Sequence, residues 1–168
     1  MRAFVGVCEQ IPDDRWREPT AAGKWTPAQV VLHLCIAYEL GITAAAGGAG
    51  MRMRVSPLRA WALRTFLFPI LVAAKRFPHG VPAPAEVRPD AGIAEGLTRE
   101  DAMSRLERAA RGAAAALLRA DEERPVPRFA HAYFGALAPL ASLRLLTAHT
   151  SHHTRGLSRA MMETAVGR

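Results

Sequence analysis

Lysine is scarce in a chain that is otherwise basic: of the 22 basic residues only Lys24 and Lys75 are lysines, against 15 acidic ones. The arginines are scattered rather than gathered in one run. The formal charge of +7 therefore does not describe a phosphate-binding tract, and with no recognisable motif beside it nucleic acid is not expected as a partner. Cysteine is equally scarce. Cys8 and Cys35 form no C-x-x-C pair or ligand-spaced cluster, which excludes a disulfide framework and a thiolate metal site; Cys35 reads as a small buried thiol. Long apolar runs are missing too. The longest, Thr65 to Ala74, is far below the ~20 residues of a membrane span and carries Pro69 in its middle, so it reads as a core or interface segment with no membrane partner. The first residues, with Cys8, Glu9, Gln10 and Asp13, contain no apolar stretch ahead of a small-residue cleavage site, and a cytoplasmic protein is expected. No stretch alternates as a strand does, no repeat is visible and nothing is of low complexity, so residues 1–168 are expected to form a single helical domain.

What is present is helical periodicity with clear punctuation. A short first helix should run to about Gln10, with Phe4 and Ile11 on its apolar side, and end at Pro12, Asp13 and Asp14. The segment 15–24 lacks a period and should be a loop pinned by Trp16. Thr26, Pro27 and Gln29 make a cap, first-turn proline and capping-box partner, and the helix they open should run to about Ala46, where Gly47, Gly48 and Gly50 stop it. Ser56 and Pro57 start a third helix to about Arg76, apolar enough along Leu58, Trp61, Thr65 and Phe66 to be largely buried, and kinked at Pro69. Pro78, Gly80, Pro82, Pro84 and Pro89 make a long extended connection. Thr98, with Asp101 as its partner, opens a fourth helix whose alanine-rich stripe (Ala102, Leu106, Ala109, Ala113, Ala116, Leu117) implies close approach of a neighbour. After an irregular piece over 128–138 with Phe129, Tyr133 and Phe134, Pro139 begins a last helix to about Ala165. An all-α antiparallel four-helix bundle with a short extra N-terminal helix follows. The apolar third helix and the alanine-rich fourth also offer a face for a homodimer.

The residues that carry chemistry lie in the last helix. His149 and His153 are four apart, so they share one helical face with Leu143, Leu146, Thr150, Leu157 and Ala160, and both imidazoles point where the apolar side chains point. His152 lies to the flank, in line with Leu145, Arg155 and Arg159. A third inward candidate, His33, shares a stripe with Val30, Leu34, Ala37 and Gly41 on the second helix. Three inward histidines on two helices suit a divalent metal; the competing reading keeps them as hydrogen-bonded core groups. Thr150, Tyr38, Glu39 and Thr147 are near enough in sequence to hold the other ring nitrogens. No carboxylate is placed as a general base: Glu39 lies about 120° round the helix from His33, and Glu163 and Glu9 fare no better. Ser142, Ser151 and Ser158 have no nucleophile-elbow glycines around them. Arg155 and Arg159 could meet an anionic substrate.

Three segments, I-P-x-x-x-W at 11–16, W-T-P-A-Q-V-V-x-H-L at 25–34 and F-G-x-L-x-P-L-x-x-L-R-L-L-x-x-H-x-x-H-H-x-R at 134–155, together resemble the DinB-like superfamily, which includes YfiT-type metal-dependent hydrolases. The resemblance covers nearly the whole chain, with its specific content in the second and last helices. It implies a bundle of up-down-down-up topology and, in many members, a divalent metal on three histidines, which here match His33, His149 and His153. Many members follow the double histidine with Arg-Gly-Gln; this chain has Arg155, Gly156 and Leu157, so that amide is absent.

Three neutral imidazoles leave an ion its full charge and an open position, where a water is acidified or a substrate oxygen or sulfur polarised. Zinc is the expected metal, with nickel, manganese or iron allowed. The implied function is a metal-dependent enzyme acting on a small-molecule substrate, a hydrolase or a transferase or isomerase that activates a low-molecular-weight thiol. The alternative is a non-catalytic metal- or ligand-binding bundle of the stress response.

Overall fold

The computed structural model describes residues 1–78 and 81–166, which leaves Gly80 of the expected proline-rich connection outside the described residues. The helices are α1 (Arg2–Glu9), α2 (Pro27–Ala45), α3 (Pro57–Ala62), α4 (Phe68–Ala74), α5 (Ala91–Gly96), α6 (Arg99–Glu122) and α7 (Pro139–Val166), with a hairpin of β1 (Phe129–His131) and β2 (Gly135–Leu137) before the last.

The caps that the sequence suggests are made. Thr26 Oγ1 accepts from the Gln29 amide at 3.1 Å while Gln29 Oε1 accepts from the Thr26 amide at 2.9 Å, a reciprocal pair that satisfies two amides the helix cannot. Thr98 Oγ1 accepts from the Asp101 amide at 3.1 Å, and its hydroxyl in turn donates to the Asp101 carboxylate at 2.7 Å.

Contacts between side chains fix the helix directions. Residues 33, 38 and 41 of α2 meet residues 149, 150 and 146 of α7, so these two run antiparallel. Cys35, Glu39 and Ile42 of α2 meet Ala102, Arg105 and Gly112 of α6, so this pair is parallel. α1 ends where α2 and α6 begin: Arg99 bonds the Ile11 carbonyl and lies 2.8 Å from Asp13, and the Ala28 amide donates to Trp16 at 3.1 Å. In the order α1, α2, α6, α7 the bundle is therefore up-down-down-up. Its core joins Phe4 and Cys8 of α1 to Val31, Leu34 and Cys35 of α2, Ala102, Leu106 and Ala113 of α6 and Leu157 of α7. The small residues on α6 let α2 approach closely, since a Cβ at Gly112 would stand 3.0 Å from Ile42.

Several sequence expectations need correction. The third helix is not largely buried: only Ala60 and Leu71 of its α-helical turns are, and its outer side faces solvent. Where a kink is expected it has a single π turn, Leu63–Leu67, just ahead of Pro69; the proline lacks an N–H and its ring crowds the carbonyl four residues back, which widening the turn relieves. The connection 78–98 is not wholly extended, because Asp90 Oδ1 accepts from the Ile93 amide at 3.0 Å and caps α5. Residues 128–138 are a hairpin rather than an irregular piece, with Phe129 opposite Leu137 and His131 opposite Gly135. A third extended strip, 50–54, lies against it: Met51 and Arg54 amides donate to Ala130 and Ala132 at 2.9 and 2.8 Å. Gly50 is required there, since a Cβ would come 2.6 Å from the Ala130 carbonyl oxygen.

Two segments, Pro27–Ala45 and Pro57–Ala74, are long and apolar enough to cross a membrane. The first is the core helix of the bundle, whereas only 11% of the second is buried.

Candidate metal centre

The antiparallel pairing of α2 and α7 brings the three histidines together. His33 is 3% exposed, and its Nε2 lies 3.0 Å from His149 Nε2, which lies 3.0 Å from His153 Nε2. One ligand atom from each of the three falls within 4.8 Å of the others. Nitrogens on a tetrahedral ion, each about 2.0–2.1 Å from it, stand about 3.3 Å apart. The two contacts through His149 fall a few tenths of an ångström inside that, and the 4.8 Å spread of the three lies outside it, so the outer pair would draw together around one ion.

The proton positions strengthen the fit. His33 Nδ1 faces the Val87 carbonyl at 2.5 Å; a carbonyl only accepts, so Nδ1 carries the proton and the Nε2 of the neutral ring is a bare lone pair. His149 Nε2 then faces two other ring nitrogens, and its one proton could make only a bond shared between them. A cation among them would be met by the lone pairs of all three rings. Burial pulls the His33 pKa down against the opposing effect of the Val87 bond. Burial, then the charges of His153, His33 and further histidines, hold His149 well below its ordinary value. His153 is pulled down to about 3, by burial first. All three are thus neutral at neutral pH, the form that binds metal.

The partner of His33 is none of the residues expected from sequence. Tyr38 and Thr150 bond each other at 2.8 Å, Thr147 bonds the Leu143 carbonyl, and Glu39 is held in a two-pronged ion pair by Arg105, both contacts 2.8 Å. Val87, 54 residues away in the proline-rich crossing, gave no signal because it acts through its backbone. His152 is at the flank as expected, its Nδ1 accepting from the Phe77 amide at 3.3 Å. Trp25 packs on His33 (centroids 4.8 Å apart) and Phe77 on His149 (5.2 Å).

The histidines open into a cavity of about 1140 Å³ between the bundle, the inner side of α3–α4 and the hairpin. Its walls are mainly apolar, among them Leu63, Leu67, Leu71 and Phe134. Among the described residues, Lys24, Arg54, Arg59, Arg76, Arg155 and Arg159 line it against one acid, Glu163. His131, overlooked in the sequence because it has no partner at ligand spacing, also lines it. The Tyr133 and Phe134 amides donate to His131 Nδ1 at 3.2 and 3.3 Å, so its Nε2 carries the proton; burial lowers its pKa to about 4. Leu157, which follows Arg155 and Gly156, is buried in the core.

Fold and site together define a helical bundle that carries a three-histidine cluster in an apolar cavity. The chain belongs to the DinB superfamily, whose sequence model matches residues 2–156. It is similar in fold to a protein described as "TT2238, a four-helix bundle protein", with 20% identity over 94% of this chain and 89% of that one and a TM-score of 0.54. No curated protein matches the sequence.

Proposed function

We propose that this protein is a metal-dependent enzyme whose His33, His149 and His153 hold a divalent ion, zinc first among the candidates, to act on a small-molecule substrate. The observation that carries this reading is the convergence of three neutral imidazoles from two helices, one ring nitrogen of each within 4.8 Å of the others. When bound, the ion supplies Lewis acidity to a substrate oxygen or sulfur atom.

The chain's own residues define the rest. Val87 fixes the His33 ring, while Trp25 and Phe77 pack against the imidazoles of His33 and His149. The apolar walls fit a substrate with an apolar body, and the excess of arginine fits an anionic group on it. His131, with its proton fixed on Nε2, is a hydrogen-bond donor and not a base. Glu163, the one acid among the described residues lining the cavity, is ten residues beyond His153, about 15 Å along the helix. With no carboxylate base at hand, activation of a low-molecular-weight thiol for transfer or isomerisation is favoured over hydrolysis. The two free buried thiols, Cys8 and Cys35, fit a cytoplasmic location.

The test is metal analysis of the purified protein, followed by thiol-transfer and ester or amide hydrolysis panels with and without chelator. Chelator-sensitive thiol transfer supports the proposal. Bound metal with no chelator-sensitive turnover in any panel would point instead to a binding protein.

A further inference from the structure

The outer side of the α3–α4 helix carries large apolar groups into solvent: Leu58 is 75% exposed, Trp61 50%, Phe66 64% and Ile70 65%. They lie opposite the buried Ala60 and Leu71, and the Trp61 and Phe66 rings meet edge to face at 6.0 Å. The inner side is occupied. Phe68 packs on Phe134, and Leu63, Leu67 and Leu71 line the cavity, so the helix cannot leave the body without opening it.

Charge identifies what covers this face. Between Glu39 and Glu86 the chain has no acidic residue, while Arg52, Arg54, Arg59, Arg64, Lys75 and Arg76 fall within that interval. Arg64 is turned towards the hairpin and donates to the Phe134 and Ala136 carbonyls, and Arg52 and Arg54 lie near the Glu86 carboxylate. That leaves Arg59 on the helix and Lys75 and Arg76 at its end as exposed basic groups, of which Arg59 and Arg76 also reach the rim of the cavity. A second copy placed on this face would bring two helices together that each carry Arg59, Lys75 and Arg76 and no acidic residue between 57 and 76, an arrangement that repels. A surface of anionic lipid is complementary instead, accepting Trp, Phe, Leu and Ile at the headgroup boundary and the basic groups at the phosphates.

We propose that the α3–α4 face docks on an anionic membrane surface, the helix lying in the plane of the interface rather than across it. Docking needs no metal and does not depend on the histidine centre.

The full chain should be sedimented with vesicles of phosphatidylcholine alone and of phosphatidylcholine containing phosphatidylglycerol. The expected result is at least about tenfold stronger partition onto the anionic vesicles at low salt. Trp61→Ser with Phe66→Ser, and separately Arg59→Glu with Lys75→Glu, should each weaken it by about tenfold or more with circular dichroism unchanged. Equal partition onto both vesicles, or full binding by both variants, overturns the proposal. So does a concentration-dependent dimer in gel filtration that the Trp61/Phe66 variant abolishes, because a second copy would then be the occupant.

Discussion

The Nε2 atoms of His33 and His149 face each other at 3.0 Å across 116 positions of sequence. Because burial lowers the pKa of both rings and of His153, the cluster is deprotonated before any metal arrives. Three ordinary histidines at pH 6.0 would release about two protons on binding zinc. This protein should release clearly fewer, which calorimetry in buffers of different ionisation enthalpy measures. Release of two or more would show that the rings carry protons in the free protein.

Acid should destabilise the metal-free protein. His131 sits at about 4 when folded and near 6.5 when unfolded, so between these values the unfolded chain binds the additional proton and stability rises with pH. Its contribution is complete above 6.5 and is lost as pH falls towards 4. Urea unfolding in chelator at pH 7 and pH 5 should show His131→Gln losing about 2 kcal/mol less than the wild type between the two. Equal losses would place the acid sensitivity elsewhere.

The short first helix and the third helix should respond oppositely to truncation. Phe4 is 0% exposed in the bundle core, and Phe4→Ala should cost about 3–5 kcal/mol. Phe66→Ala, on the exposed side of the third helix, should cost no more than about 0.5 kcal/mol. Denaturant midpoints of the two variants decide it, and similar losses in both would contradict the assignment of core and periphery.

Gly50→Ala should destabilise by about 2 kcal/mol, because the new Cβ would stand 2.6 Å from the Ala130 carbonyl oxygen, a backbone atom that cannot turn away. Thermal unfolding measures the loss, and an unchanged midpoint would mean that strip 50–54 separates readily from the hairpin.

The parts of this molecule that could be read from sequence are those in which one local pattern carries the information. Thr26, Pro27 and Gln29 locate the start of α2 because a capping box involves neighbours in sequence. The spacing of His149 and His153 places both rings on one face of α7. The third helix misled because an apolar pattern states what could be buried and not whether a partner is there to cover it; Trp61 and Phe66 read like core residues and are exposed. Val87 and the hairpin were illegible for another reason. A backbone carbonyl acts without any side-chain signature, and three-residue strands around Gly135 are too short to show alternation.

Metal content tests the central claim most directly. The wild type and the single variants His33→Ala, His149→Ala and His153→Ala should each be loaded with zinc, desalted and measured by elemental mass spectrometry, with circular dichroism to verify the fold. Close to one ion per chain is expected in the wild type and under about 0.1 in each folded variant. A wild type that retains no ion, or a folded variant that keeps a full equivalent, would contradict the account.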